Sequence, residues 1–158
     1  MKISLLVASV LPLFATSTPL NSRAGGPFFV PIPANCTIIN PLPHAGCGIA
    51  NVHGYMPHPK FTKKHLLHEA YFSTDRNESA EARGCQEQCY GLGFGRGCKS
   101  ALVGYHVESP IGYYGSTTVG MSPTACLLYD AYLDPSKFVA APKGQYVNET
   151  AGSLYCPL

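Results

Sequence analysis

Ser79-Ala80-Glu81-Ala82-Arg83-Gly84-Cys85-Gln86-Glu87-Gln88-Cys89-Tyr90 reads as a helix with cysteines along one side. Ala82, Cys85 and Cys89 stand at i, i+3 and i+7, so they share one helical face. Asn77 or Ser79 can cap its start, and Glu81 falls in the first turn. Gly91 is the expected stop. Gly84 weakens the central turn by up to about 1 kcal/mol relative to Ala. The run Gly91-Leu92-Gly93-Phe94-Gly95-Arg96-Gly97 follows the helix and does not precede one. It also fails the G-x-G-x-x-G pattern in both registers, so it reads as a tight connection and not as a phosphate loop.

Strand patterns flank this helix. Lys99-Ser100-Ala101-Leu102-Val103-Gly104-Tyr105-His106 is apolar or small on both faces, and Ala125-Cys126-Leu127-Leu128-Tyr129 is a second strand. Ala70-Tyr71-Phe72 suggests a short strand before the helix, and Ser153 to Cys156 a last one. Residues 107–124 are rich in Gly, Ser and Thr, with Pro110 and Pro123, and form a long loop or loose hairpin. Residues 18–46 carry Pro27, Pro31, Pro33, Pro41 and Pro43, which break any period. They read as an extended, partly disordered N-terminal arm. The domain proper is expected over 47–158.

The first residues point to export. Lys2 supplies a positive start, Ile3 to Ala15 is apolar apart from Ser9 and Pro12, and Ala15 and Ser17 have an A-x-S spacing. This is a secretory signal peptide over 1–17, too short for a membrane span of roughly 20 apolar residues. Neither a later membrane span nor an apolar anchor tail is expected. The chain contains seven cysteines: Cys36, Cys47, Cys85, Cys89, Cys98, Cys126 and Cys156. In an oxidising compartment they are expected to pair, with at least one left over. Sequons begin at Asn35, Asn77 and Asn148, and each can carry an N-glycan. The net charge of +2 and scattered basic residues predict no nucleic-acid partner. Lys60, Lys63 and Lys64 read as a solvated face. With 16 Gly, 14 Pro and only 13% charged residues, the chain is loop-rich and in need of cross-links.

Cys85-x3-Cys89, Cys98-Lys99-Ser100 and Ala125-Cys126-Leu127-Leu128-Tyr129-Asp130 together resemble the PAN/Apple domain, most closely the Apple-like domains of small secreted fungal proteins. Cys47-Gly48-Ile49 and Cys156-Pro157 look like the two ends of that pattern. The resemblance implies an α+β fold, a small antiparallel sheet with one helix packed across it. It also implies the pairings Cys85–Cys126, Cys89–Cys98 and Cys47–Cys156, with Cys36 unpaired. Spacing alone could not choose these, since six cysteines allow 15 connectivities. The chain departs from the family in its longer loop after Val107, in Cys36, and in Leu102 where an aromatic is common.

Neither catalytic nor metal chemistry is expected. His65 and His68, with Glu69 beside them, could share a helical face at i, i+3, but Phe72 stands where H-E-x-x-H needs its second histidine. Solvated loop histidines are the plainer reading. Zinc on Cys85 and Cys89 is disfavoured by export. A nucleophilic Cys36 would lack a preformed pocket, and linkage to a second chain as a disulfide dimer, or loss in processing, are its alternatives. There is no G-x-S-x-G, and Asp130 and Asp134 read as solvated turn residues. No cofactor is expected. Tyr105, Tyr113 and Tyr114 are the candidate binding residues, since tyrosines among small polar residues suit protein or glycan surfaces. The expectation is a secreted, non-catalytic module that binds protein or carbohydrate, as the resemblance implies. A structural or cell-wall-associated protein and a secreted host-directed effector are the alternatives.

Overall fold

The computed structural model describes residues 27–43, 54–72, 77–109 and 124–157, with backbone alone over 93–96. The fold is α+β. The five-stranded antiparallel sheet has the order β1 (Thr37–Ile39), β7 (Val147–Tyr155), β4 (Ser100–Tyr105), β5 (Thr124–Tyr129), β3 (Leu66–Phe72). A separate two-stranded ribbon joins β2 (Tyr55–Pro57) to β6 (Phe138–Ala140). Among the described residues the remaining elements are the α-helices α1 (Pro59–His65) and α2 (Glu78–Arg96) and a 3-10 turn at Pro135–Lys137.

β4 and β5 lie inside the sheet and are buried along their whole length, which is why both read as apolar or small on both faces. Alternation then divides the core. Ala101, Val103, Tyr105, Cys126, Leu128 and Leu154 point to the side carrying α2. Leu102, Ala125, Leu127, Tyr129 and Ala151 point to the other side, where they meet Tyr71, Leu133 and Phe138. Leu102 and Leu128 are fully buried, each worth about 1.5–3 kcal/mol of transfer free energy.

α2 begins where Asn77 Oδ1 accepts from the Ser79 and Ala80 amides at 3.0 and 3.4 Å. Such caps contribute about 1 kcal/mol. The helix does not stop at Gly91 but runs on to Arg96 and ends at Gly97, whose φ of 68° is the left-handed cap conformation. Gly91 answers to a neighbour. A Cβ there would collide with the Phe28 carbonyl oxygen, so glycine lets the N-terminal segment lie against the helix. Val30 N donates to Glu87 O at 3.3 Å along the same contact. The described part of the expected arm, 27–43, therefore packs on α2 through Val30 and joins the sheet as β1, while the rest of that stretch lies outside the described residues.

β3 is also longer than expected. α1 carries Pro59 at its start and is capped by His58 Nδ1, which accepts from Lys60 N at 3.1 Å. It ends at His65, and Leu66 turns into extended backbone that pairs with β5 as far as Phe72. His65 and His68 thus lie on different elements and share no helical face. Pairing with β5 overrides the helical reading of that stretch.

Three disulfides lie among the described residues: Cys85–Cys126, Cys89–Cys98 and Cys36–Cys156. The first two tie α2 to β5 and to the start of β4. The third corrects the expectation for the chain ends. Cys156 pairs with Cys36 and not with Cys47, because β1 runs antiparallel to β7 with Thr37 opposite Tyr155, which sets Cys36 beside Cys156. Cys36 is therefore not free to link chains. With the other six of the seven cysteines paired, Cys47 becomes the remaining one; it lies outside the described residues.

Candidate binding surface

Two buried serines build the first candidate surface. Ser100 in β4 and Ser153 in β7 are cross-strand partners, and their hydroxyl oxygens are 2.9 Å apart. Ser153 Oγ donates to Leu133 O at 3.0 Å, and Leu133 N donates to Ser100 Oγ at 3.0 Å. With Ser100 donating to Ser153, every donor in this network has an acceptor. The network fixes the peptide of Leu133, and so the position of its neighbour Tyr132.

The Tyr132 ring lies flat on the ring of Tyr155, with centroids 4.3 Å apart and planes 4° apart. Lys99 Nζ stands 5.4 Å from the Tyr132 centroid, within cation–π range. Lys99 is itself pinned, since its amide donates to Tyr129 O and its carbonyl accepts from Leu154 N, both at 2.8 Å. Both tyrosines are 40% exposed, although the side chains are large and apolar. Thr37 lies opposite Tyr155 and Ile39 opposite Ser153, so β1 extends this surface with two exposed residues on the same side of the sheet. The arrangement presents flat apolar area, a cation and phenol hydroxyls on backbone that is already held.

The second surface is a groove of about 640 Å³ on the other side of the sheet, between α2 and the segment 32–38. Ile32, Ile38 and Ala82 supply apolar lining, while Arg83 and Glu87 form an ion pair of 2.9 Å at the margin. Two of its lining residues pack against Gly152, where a Cβ would meet Gln86 Nε2 at 2.7 Å and Ile38 Cγ2 at 2.8 Å.

The residues expected to bind fare differently. Tyr105 is only 6% exposed, and its hydroxyl donates to Glu78 O at 3.3 Å beneath α2. Burial, with the carboxylates of Glu81 and Glu78, holds its phenol well above the usual range. It is a core residue, because the odd positions of β4 face the helix. Tyr113 and Tyr114 lie outside the described residues, as does most of the loop 107–124. His65 is drawn into structure: its Nδ1 donates to Asp130 Oδ1 at 2.8 Å, while Asp130 N donates to His65 O at 3.0 Å. Asp134 caps the 3-10 turn by accepting from Ser136 N at 2.8 Å, and hydrogen bonds from Ser136 hold its carboxyl below the usual range. Lys60, Lys63 and Lys64 are exposed, and so are Asn35, Asn77 and Asn148. Among the described residues no three metal-ligating side chains converge. No helix among them is long and apolar enough to cross a membrane.

Tyr132, Tyr155 and Lys99 are not among the binding residues expected from the sequence. Alternation over the last five residues of β7, 151–155, is the available signal, since it sets Tyr155 on the side away from α2. The chain matches no family model, no curated protein and no solved structure.

Proposed function

We propose that the protein is an exported, non-catalytic binding module for protein or carbohydrate surfaces, and that it binds through Tyr132, Tyr155 and Lys99. The single observation behind this reading is an exposed aromatic stack held in place by a buried hydrogen-bond network. Exposed, pre-ordered tyrosines supply large contact area at little entropic cost, which is why they dominate many recognition surfaces. The resemblance to PAN/Apple domains agrees with a binding role. The three disulfides suit an oxidising, extracellular setting. All six described cysteines are bonded, so none offers a thiolate for catalysis.

The test is expression of the full chain in a eukaryotic secretory host, followed by a glycan array and a pull-down with the protein recovered from the medium. A ligand found in either should bind at least about tenfold more weakly to Tyr155→Ala or Tyr132→Ala. No ligand in either screen, or one indifferent to both substitutions, would overturn the reading.

A further inference from the structure

The three sequons are far apart in sequence, yet each places at least one of its own residues in the lining of the same groove. Asn35-Cys36-Thr37 contributes Cys36, Asn77-Glu78-Ser79 contributes Glu78 and Ser79, and Asn148-Glu149-Thr150 contributes Thr150. All three asparagines are exposed. Asn35 sits in a turn closed by Cys36 N donating to Pro33 O at 3.0 Å. Asn148 Nδ2 reaches Glu78 Oε1 at 3.3 Å, so the second and third sequons touch.

We infer that N-glycosylation of this chain is one-sided: glycans on Asn35, Asn77 and Asn148 together roof the groove between α2 and segment 32–38, and leave the Tyr132–Tyr155 side of the sheet bare. This rests on the reading that the chain is exported.

The chemistry of each acceptor permits it. Asn77 caps α2 through Oδ1, whereas a glycan bonds to Nδ2, so capping and modification use different atoms of one amide. A glycosylated Asn148 keeps one N–H on Nδ2 and can still donate to Glu78. Asn35 stands beside a disulfide cysteine, but Cys156 is made 120 residues after Cys36. The first sequon is therefore still open when it becomes available in the growing chain. Sugars at these three corners would cover the exposed Ile38, whose side chain faces α2, while Tyr155 points away from the helix side.

Two measurements on secreted full-length protein test this. Glycopeptide mapping after enzymatic deglycosylation in heavy-oxygen water reads which asparagines were modified. Hydroxyl-radical footprinting, before and after deglycosylation, reads exposure. All three sites are expected to be occupied, and each should be lost separately in Thr37→Ala, Ser79→Ala and Thr150→Ala. These changes keep the asparagines, and so the cap of α2. Oxidation of Ile38 should rise about threefold or more on deglycosylation, while Tyr132 and Tyr155 change little. Modification at fewer than two sites, or an Ile38 signal indifferent to deglycosylation, would overturn the inference. Protein secreted without glycans sinks the inference but leaves export standing. Protein retained in the cell without glycans sinks both.

Discussion

On the side of the sheet that carries α2, covalent bonds do much of the holding: Cys85–Cys126 and Cys89–Cys98 fasten the helix to β5 and to the start of β4. On the other side no described disulfide occurs. Closure there relies on α1, the β2–β6 ribbon and a group of tyrosines. Tyr129 is fully buried, and Tyr71 Oη donates to Glu69 Oε2 at 3.2 Å. Tyr146 adopts a φ of 53° and lies across two glycines. A Cβ on Gly104 would meet its ring at 2.5 Å, and Gly54 stands against its carbonyl. One side is thus protected by restricting the unfolded chain, the other by shape and by neutral phenols kept dry. They should fail under different stresses.

The largest effect should come from the covalent side. Cys85→Ala with Cys126→Ala opens a loop of 41 residues and should cost about 4 kcal/mol by loop entropy. Urea unfolding would show it as a lower midpoint. A loss under about 1 kcal/mol would mean that the helix side is held by packing, as the other side is.

Alkali should act on the tyrosine side. Burial, with Glu69 adding to it, pushes the Tyr146 phenol up to about 12 from its ordinary value of 10.0. Burial also holds Tyr129 well above the usual range. A phenol that ionises later in the folded state than in the unfolded one stabilises fully below its unfolded pKa. That contribution fades as pH rises through the folded pKa. Stability should therefore be flat up to about pH 10 and fall by at most about 3 kcal/mol per such tyrosine by pH 12. Phenolate absorbance should show late-titrating tyrosines that shift to normal titration in denaturant. Ordinary titration of all ten tyrosines in the folded protein would break the contrast.

A smaller loss should follow Gly104→Ala, since the added methyl displaces the Tyr146 ring. Overpacking of this kind costs about 1–3 kcal/mol. Thermal unfolding should show that Tyr146→Ala costs less in the Gly104→Ala background than alone, because the clash is then relieved. Additive effects would show that the ring does not rest on Gly104. The smallest effect belongs to Arg83→Ala, which removes an exposed i, i+4 pair with Glu87 and should change stability by under about 0.5 kcal/mol. A larger change that persists in high salt would give α2 an electrostatic support to set beside its disulfides.

These differences also explain which parts of the fold are legible in the sequence. The α2–β4–β5 block was legible because its signals are local: a capped helix with cysteines on one face and two runs buried on both sides. The ends of the chain were not. Thr37-Ile38-Ile39 is a three-residue edge strand flanked by prolines, with every side chain exposed. Only its partner β7 and the Cys36–Cys156 bond make it a strand. Gly91 looked like punctuation, but its reason is the Phe28 backbone, more than sixty residues away. Leu66 to Phe72 carried no decisive period, and β5 settled it. Tyr105 looked available because its neighbours are polar, and only the packing of α2 buries it. Tyr132 and Tyr155 are 23 positions apart in sequence and become one surface through Ser100, Ser153 and Leu133.

Cys36–Cys156 also gives the domain a mechanical property. The chain between these residues is a closed covalent ring, with a sequence separation of 120. Tension applied to the chain flanking the two cysteines passes through the sulfur–sulfur bond and bypasses every described strand. The sheet is shielded from pulling for as long as that bond is oxidised. A single backbone cut inside the ring leaves one connected molecule, whereas a reductant that opens this bond hands the load to the three-residue β1–β7 pairing.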